Sequence, residues 1–94
     1  MITPTIGRVV LVHRGAFATD QPEPAFITYV WNDRMVNLGG FDRNGHPFAC
    51  TSVKLLQDDD PEPSEIESFA YWMPYQKAVA AGYIPPVQHE TPKT

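Results

Sequence analysis

Ninety-four residues with eleven acidic against seven basic side chains, a formal net charge of −4, describe one small acidic domain. The scattered Lys and Arg exclude the dense basic surface that duplex DNA or long RNA requires, and the single cysteine excludes an intramolecular disulfide. No apolar run approaches the roughly 18 residues of a membrane span, and the first residues lack the basic and apolar regions of a signal peptide, so the sequence predicts a soluble, intracellular chain.

Residues 7–13 form a β-branched run after Pro4-Thr5 and predict a first strand. Residues 14–24, with Gly15, Asp20, Pro22 and Pro24, predict a loop. Residues 25–31 alternate, with Phe26, Thr28 and Val30 on one face and Ile27, Tyr29 and Trp31 on the other. That predicts a strand apolar on both faces and central in its sheet. Asn32-Asp33 predicts a turn into a third strand over 34–41, where Gly39-Gly40 is expected to bend or bulge the chain. Asn44-Gly45 predicts a type I′ hairpin turn into a fourth strand over 47–56. Val10, Val30, Val36, Leu38 and Val53 are the predicted core positions. Residues 57–63 read as an acidic, Pro-broken, solvated connection whose oxygen spacing matches no calcium loop.

From Ser64 the pattern admits two readings. Ser64 with Glu67 fits a capping box that opens a helix, but Pro74 would break the interior of that helix. The alternative is a short fifth strand over 68–72, then a helix from Pro74 as its first residue to about Ala81. Gly82 is then its C′ residue, and Pro85-Pro86 prevents continuation. Residues 1–86 make the domain, and the polar stretch 87–94 is expected to be a mobile tail. The predicted fold is mainly β: a small bent antiparallel sheet or SH3-like barrel of about five strands with one short C-terminal helix.

The chemistry-bearing residues point away from catalysis. His13, His46 and His89 lack the paired spacing of a zinc site, so no metal is predicted. Thr51-Ser52 lies near His46, but nothing marks a nucleophile elbow or an oxyanion loop. No glycine-rich phosphate loop is present, and no cofactor is predicted. Cys50, in an apolar strand pattern, reads as a small buried hydrophobe rather than a reactive thiol.

Two Trp, four Tyr and five Phe exceed what so small a core holds, so some rings are expected to face a ligand, a partner or another copy of the chain. Trp31 beside Asn32, Asp33 and Arg34 offers stacking, edge hydrogen bonds and a bidentate charge contact, a recipe for a base and a phosphate. The plain reading of the same residues is a hairpin turn with an exposed Trp. The rings from Tyr71 to Tyr75 are placed to cover the open end of a barrel. The candidate ligand-binding residues are Arg8, Trp31, Asn32, Asp33, Arg34, Asn37, Thr51, Ser52, Trp72 and Tyr75.

The segments Thr3-Pro-Thr-Ile-Gly-Arg-Val-Val10, Tyr29-Val-Trp-Asn-Asp33, Val36-Asn-Leu38, Phe41-Asp-Arg-Asn-Gly45, Thr51-Ser-Val53 and Trp72-Met-Pro-Tyr-Gln76, in that order, resemble a family of small proteins encoded by tailed bacteriophages and prophages. The β-core with a helical end also resembles the phage sponges that counter the Thoeris defence system, although no pocket residue carries over. These resemblances imply an accessory phage protein of the host cytoplasm that is not an enzyme. It would bind and sequester a small (cyclic) nucleotide immune signal in a homo-oligomer. The alternative is a protein–protein inhibitor of a host defence or regulatory protein.

Overall fold

Short apolar runs separated by Gly, Pro and Asx turns give strands that each have one face to bury. In the computed structural model, which describes residues 1–58 and 60–82, these are β1 (Val9–Arg14), β2 (Glu23–Asn32), β3 (Met35–Phe41), β4 (Pro47–Leu56) and β5 (Ser68–Tyr71). They close into a barrel in sequence order and are followed by one helix, α1 (Pro74–Ala80). The mainly β architecture is as the sequence predicts. No helix among the described residues is long and apolar enough to cross a membrane.

An odd number of strands cannot alternate in direction all the way round a closed ring, so one pair must run parallel. That pair is β4–β5, with Leu55 opposite Ala70, and every other pair is antiparallel. The expectation of a wholly antiparallel sheet is corrected at this one seam. A parallel neighbour needs a crossover, and residues 57–67 supply it by returning the chain from the exit of β4 to the start of β5. The barrel consequently has two unlike ends. The helix end gathers residues 1–8, the β2–β3 turn, the exit of β4 and α1. The loop end gathers the β1–β2 connection, the β3–β4 turn and the start of β5.

Val10, Val36, Leu38 and Val53 are buried as predicted, together with Val12, Ala25, Ile27, Leu55, Ala70 and Trp72. Val30 is only half-buried against this cluster, because β2 does not keep a strict alternation. Ile27 pairs with Leu38 but Tyr29 with Asn37, so Thr28 is an extra residue. Val30 pairs with Val36 but Asn32 with Met35, so Trp31 is another. On the far side of β3, Asn37 faces both Thr51 and Ser52, and Ser52 takes a left-handed φ of 53°. Each bulge resets which side chains point inward and sharpens the twist that a small barrel needs. Ala25 and Ile27 therefore point in while Phe26, Thr28, Tyr29 and Trp31 are left outside. β2 does lie between two strands, β1 and β3, but only one of its faces is buried.

Gly39-Gly40 carries no bulge. Gly40 is small for another reason: a Cβ there would lie 2.4 Å from the Pro24 carbonyl oxygen and 2.8 Å from the Phe48 ring. Pro24, expected in a loop, is the second residue of β2 and pairs with Leu11. The Asn44-Gly45 turn is not type I′, since Gly45 has a positive φ (80°) and Asn44 does not. The Gly45 N–H donates to the Asp42 carbonyl (2.9 Å) and the Asp42 N–H to the His46 carbonyl (2.9 Å). This is the three-residue connection in which a left-handed glycine follows an ordinary turn. The Asp42 carboxylate fixes it by accepting the Asn44 and His46 N–H groups at 2.8 and 2.9 Å.

The fork after Ser64 resolves to the strand, β5. Helix α1 begins at Pro74 and Gly82 follows it with a φ of 93°. Gln76 anchors this helix: its Oε1 accepts the Met73 N–H (2.9 Å), and its Nε2 donates to the Val9 carbonyl (3.0 Å). The Pro85-Pro86 stop and the tail over 87–94 lie outside the described residues.

Candidate functional site

The helix end is organised by a residue that the sequence reading passed over. Gln57 leaves β4 with 1% exposure, and its side-chain amide makes all four hydrogen bonds open to it. Oε1 accepts from the Ile2 N–H and the Trp72 Nε1–H, both at 3.1 Å. Nε2 donates to the carbonyls of Ile2 (2.7 Å) and Asp33 (2.8 Å). One neutral amide thus ties the N-terminal segment, the β2–β3 turn and Trp72 together. A lone Gln before an acidic run gives no sequence signal for that role.

The predicted cradle at Trp31-Asn32-Asp33-Arg34 is already occupied by the protein itself. Asn32 Oδ1 accepts the Arg34 N–H at 2.8 Å, the fold of an Asx turn. The Arg34 guanidinium pairs in two-pronged fashion with Asp60, at 2.9 and 3.3 Å. Asp60 also accepts the Gln57 N–H at 2.9 Å. The Arg34 bond, then that N–H, hold the Asp60 carboxyl below the usual carboxylate range. The turn arginine thus braces the crossover and has little left for an incoming anion.

Asn37 sits between the bulges. Its Oδ1 accepts both the Trp31 Nε1–H (2.9 Å) and the Ser52 N–H (2.7 Å). Trp31 is 55% exposed yet pinned, and Tyr29 packs edge-on against it with centroids 4.8 Å apart. Thr51 and Ser52 are exposed beside this pair. The structure therefore joins Trp31, Asn37 and Ser52 as one outer-wall cluster.

The remaining candidates converge elsewhere at the helix end. The Arg8 guanidinium lies over the Trp72 ring, 5.5 Å from its centroid. Trp72 is only 1% exposed, so it backs Arg8 and offers no face of its own to a ligand. Arg8, Tyr75, Gln76, Ile2, Val79 and Ala80 line a cleft of about 220 Å³. Tyr75 is 60% exposed there, and Arg8 has no ion-pair partner among the described residues.

The loop end carries a different polar device, which the sequence reading also missed. Arg14 bonds to Glu23 through Nε–Oε1 (2.6 Å) and Nη2–Oε2 (2.9 Å), and its guanidinium stacks on Phe48 at 4.1 Å. Glu23 is 4% exposed. Cys50, expected to be buried, is half-buried against the core, and desolvation raises its thiol pKa, which disfavours the thiolate. Among the described residues, no group of His, Cys, Asp and Glu could hold a metal ion.

No protein-family model matches this chain, and no curated protein or solved structure is significantly similar to it.

Proposed function

We propose that this chain is a non-enzymatic accessory protein that captures a small anionic ligand of the nucleotide class at the helix end of the barrel. The observation that carries the reading is the Arg8 guanidinium, backed by Trp72 and facing the cleft it shares with the exposed Tyr75. A guanidinium lying over an indole supplies charge-assisted hydrogen bonds to a phosphate, and an exposed tyrosine ring supplies a stacking surface for a base. Among the described residues that line the cleft there is no serine, threonine or cysteine paired with a base, a lining that suits sequestration rather than turnover. The resemblance to tailed-phage proteins and anti-defence sponges suggests that the ligand is a cyclic nucleotide immune signal in the host cytoplasm. Relative to the sequence reading, the anion-binding role moves from Arg34 to Arg8, because Asp60 already neutralises Arg34.

The test incubates the protein with cyclic nucleotides and ADP-ribose derivatives, then denatures it and identifies what is released. Recovery of intact ligand is expected. Charged hydrogen bonds contribute about 1.5–3 kcal/mol each, so Arg8→Ala should weaken capture roughly tenfold or more. Arg34→Ala should leave it unchanged. Release of a cleaved product would make the protein an enzyme. Capture of no small molecule, with co-purification of a host protein, would replace this reading with the protein–protein inhibitor.

A further inference from the structure

The cleft at the helix end is poor in charge. Among the described residues that line it, Arg8 is the one cation and none is a carboxylate. Ile2, Val79 and Ala80 are apolar, and the Gln76 amide is engaged with the Met73 N–H and the Val9 carbonyl. A neighbouring hollow shares Ile2 and Ala80 with the cleft and carries Lys77 and Asp58, the latter paired with the Met1 ammonium at 3.0 Å. Lys77 does not add its charge to the cleft. Helix residues four apart share a face, so Tyr75 and Val79 turn to the cleft together, and Lys77, two positions from each, turns away.

A lining with one cation sets the charge of what it holds. Attraction to a single guanidinium grows in proportion to the ligand's charge. The cost of stripping water from the ligand grows with the square of that charge. A monoanion is therefore matched by Arg8, whereas a dianion brings a second charge to Ile2, Val79 and Ala80 with nothing to pair it. The chain's net charge of −4 adds a repulsion that doubles for the dianion. Polyphosphates commonly arrive with a divalent cation held in part by carboxylates, and the described lining supplies none.

We infer that the Arg8 cleft selects its ligand by charge: it takes a phosphodiester, which carries one negative charge, and rejects phosphomonoesters and polyphosphates. The inference rests on the ligand reading above and narrows it, because the ordinary nucleoside mono-, di- and triphosphates are then excluded. Size narrows it again. The cleft's volume of about 220 Å³ is below the roughly 300–1,000 Å³ of ordinary small-molecule sites, so it holds one nucleotide unit at most. The two phosphate classes also differ in how they respond to acid. A phosphomonoester gains a proton near pH 6 and becomes a monoanion, whereas a diester keeps its single charge. Among the described residues no histidine lines the cleft or the neighbouring hollow. Between about pH 5 and 8 the phosphate of a monoester is therefore the group at the site whose charge changes.

The experiment is isothermal titration calorimetry of the whole chain at low salt, with cyclic AMP and adenosine monophosphate as probes of equal base and unequal charge. At about pH 8 cyclic AMP is expected to bind roughly tenfold or more tightly than the monophosphate, and at about pH 5 the two should agree within roughly threefold. The affinity for cyclic AMP should be the same at both. Val79→Lys places a second cation on the cleft wall at a position 47% exposed, where the fold tolerates it. In that variant the monophosphate should gain more than cyclic AMP at about pH 8, reducing the preference to roughly threefold or less. Tighter binding of the monophosphate at the higher pH would overturn this inference and leave the ligand reading standing. So would a preference for cyclic AMP that neither pH nor Val79→Lys alters, since shape rather than charge would then be selecting. Binding of neither probe at either pH would overturn the ligand reading and this inference with it.

Discussion

The two ends of the barrel solve the same problem with opposite chemistry. At each, strands stop and buried polar atoms need partners. The loop end uses a charged pair, Arg14 with Glu23, flanked by the Phe48 ring. The helix end uses the neutral amide of Gln57, with two donors and two acceptors satisfied. A buried charge pair has a large desolvation cost to offset, whereas a fully bonded amide has a small one. The difference teaches that the helix end can be tight and still leave an arginine facing a cleft, because its buried polar groups are satisfied by a neutral amide and its charged pair, Arg34 with Asp60, lies at the surface.

Breaking the helix end should have the largest effect. Gln57→Leu leaves the Trp72 Nε1–H and the Asp33 carbonyl without their partners, and unsatisfied buried groups cost about 1–3 kcal/mol each. A loss of about 3 kcal/mol in denaturant unfolding is expected. A loss below about 1 kcal/mol would mean that water replaces the amide. At the loop end, Glu23→Ala strands the half-buried guanidinium of Arg14, 22% exposed. The cost should be about 2 kcal/mol, discounted from a fully buried pair because Arg14 reaches solvent. Replacing both residues by apolar ones of similar size should recover most of it, which is the sharpest contrast with Gln57.

The smallest effect belongs to Arg34→Ala, whose pair with Asp60 is solvated. Solvent-exposed pairs contribute little to stability. Because the folded protein lowers the Asp60 pKa, this contribution is present above the unfolded value and is lost as pH falls through the folded one. The stability gap between wild type and Arg34→Ala should therefore close below about pH 4. A gap that persisted at lower pH would assign the effect to the arginine's packing rather than its charge.

The strands were legible because each apolar run ends at a Pro, Gly or Asx turn, and β4 matches its predicted bounds of 47–56. The bulges were not. Thr28, Trp31 and the Thr51-Ser52 pair carry no glycine to mark them, since the extra residue is required by barrel closure and not by local preference. For that reason the inward face of β2 was misread after Ile27. Of the proposed site, Arg8 and Tyr75 are among the candidates named from the sequence, but that Arg34 is paired depends on Asp60, twenty-six positions away. Sequence spacing does not report a contact made by a crossover. Gln57 was missed for the same reason: its partners, Ile2, Asp33 and Trp72, come from three separate stretches of chain.

The parallel seam also sets the order in which this molecule can assemble. The β2–β3 and β3–β4 pairs join neighbours in sequence and close short loops. The seam partners Leu55 and Ala70 wait for the crossover, and Leu11 meets Tyr71 only when the two ends of the barrel sequence come together. Contacts this distant make a chain slow to fold for its length. Until they form, β2 to β4 stand as an open meander with free edges and an aromatic outer face, the arrangement most prone to join another unfinished chain. Ring closure pairs β1 with β5 and the exit of β4 with β5, so those edges are covered only when the most distant contacts form.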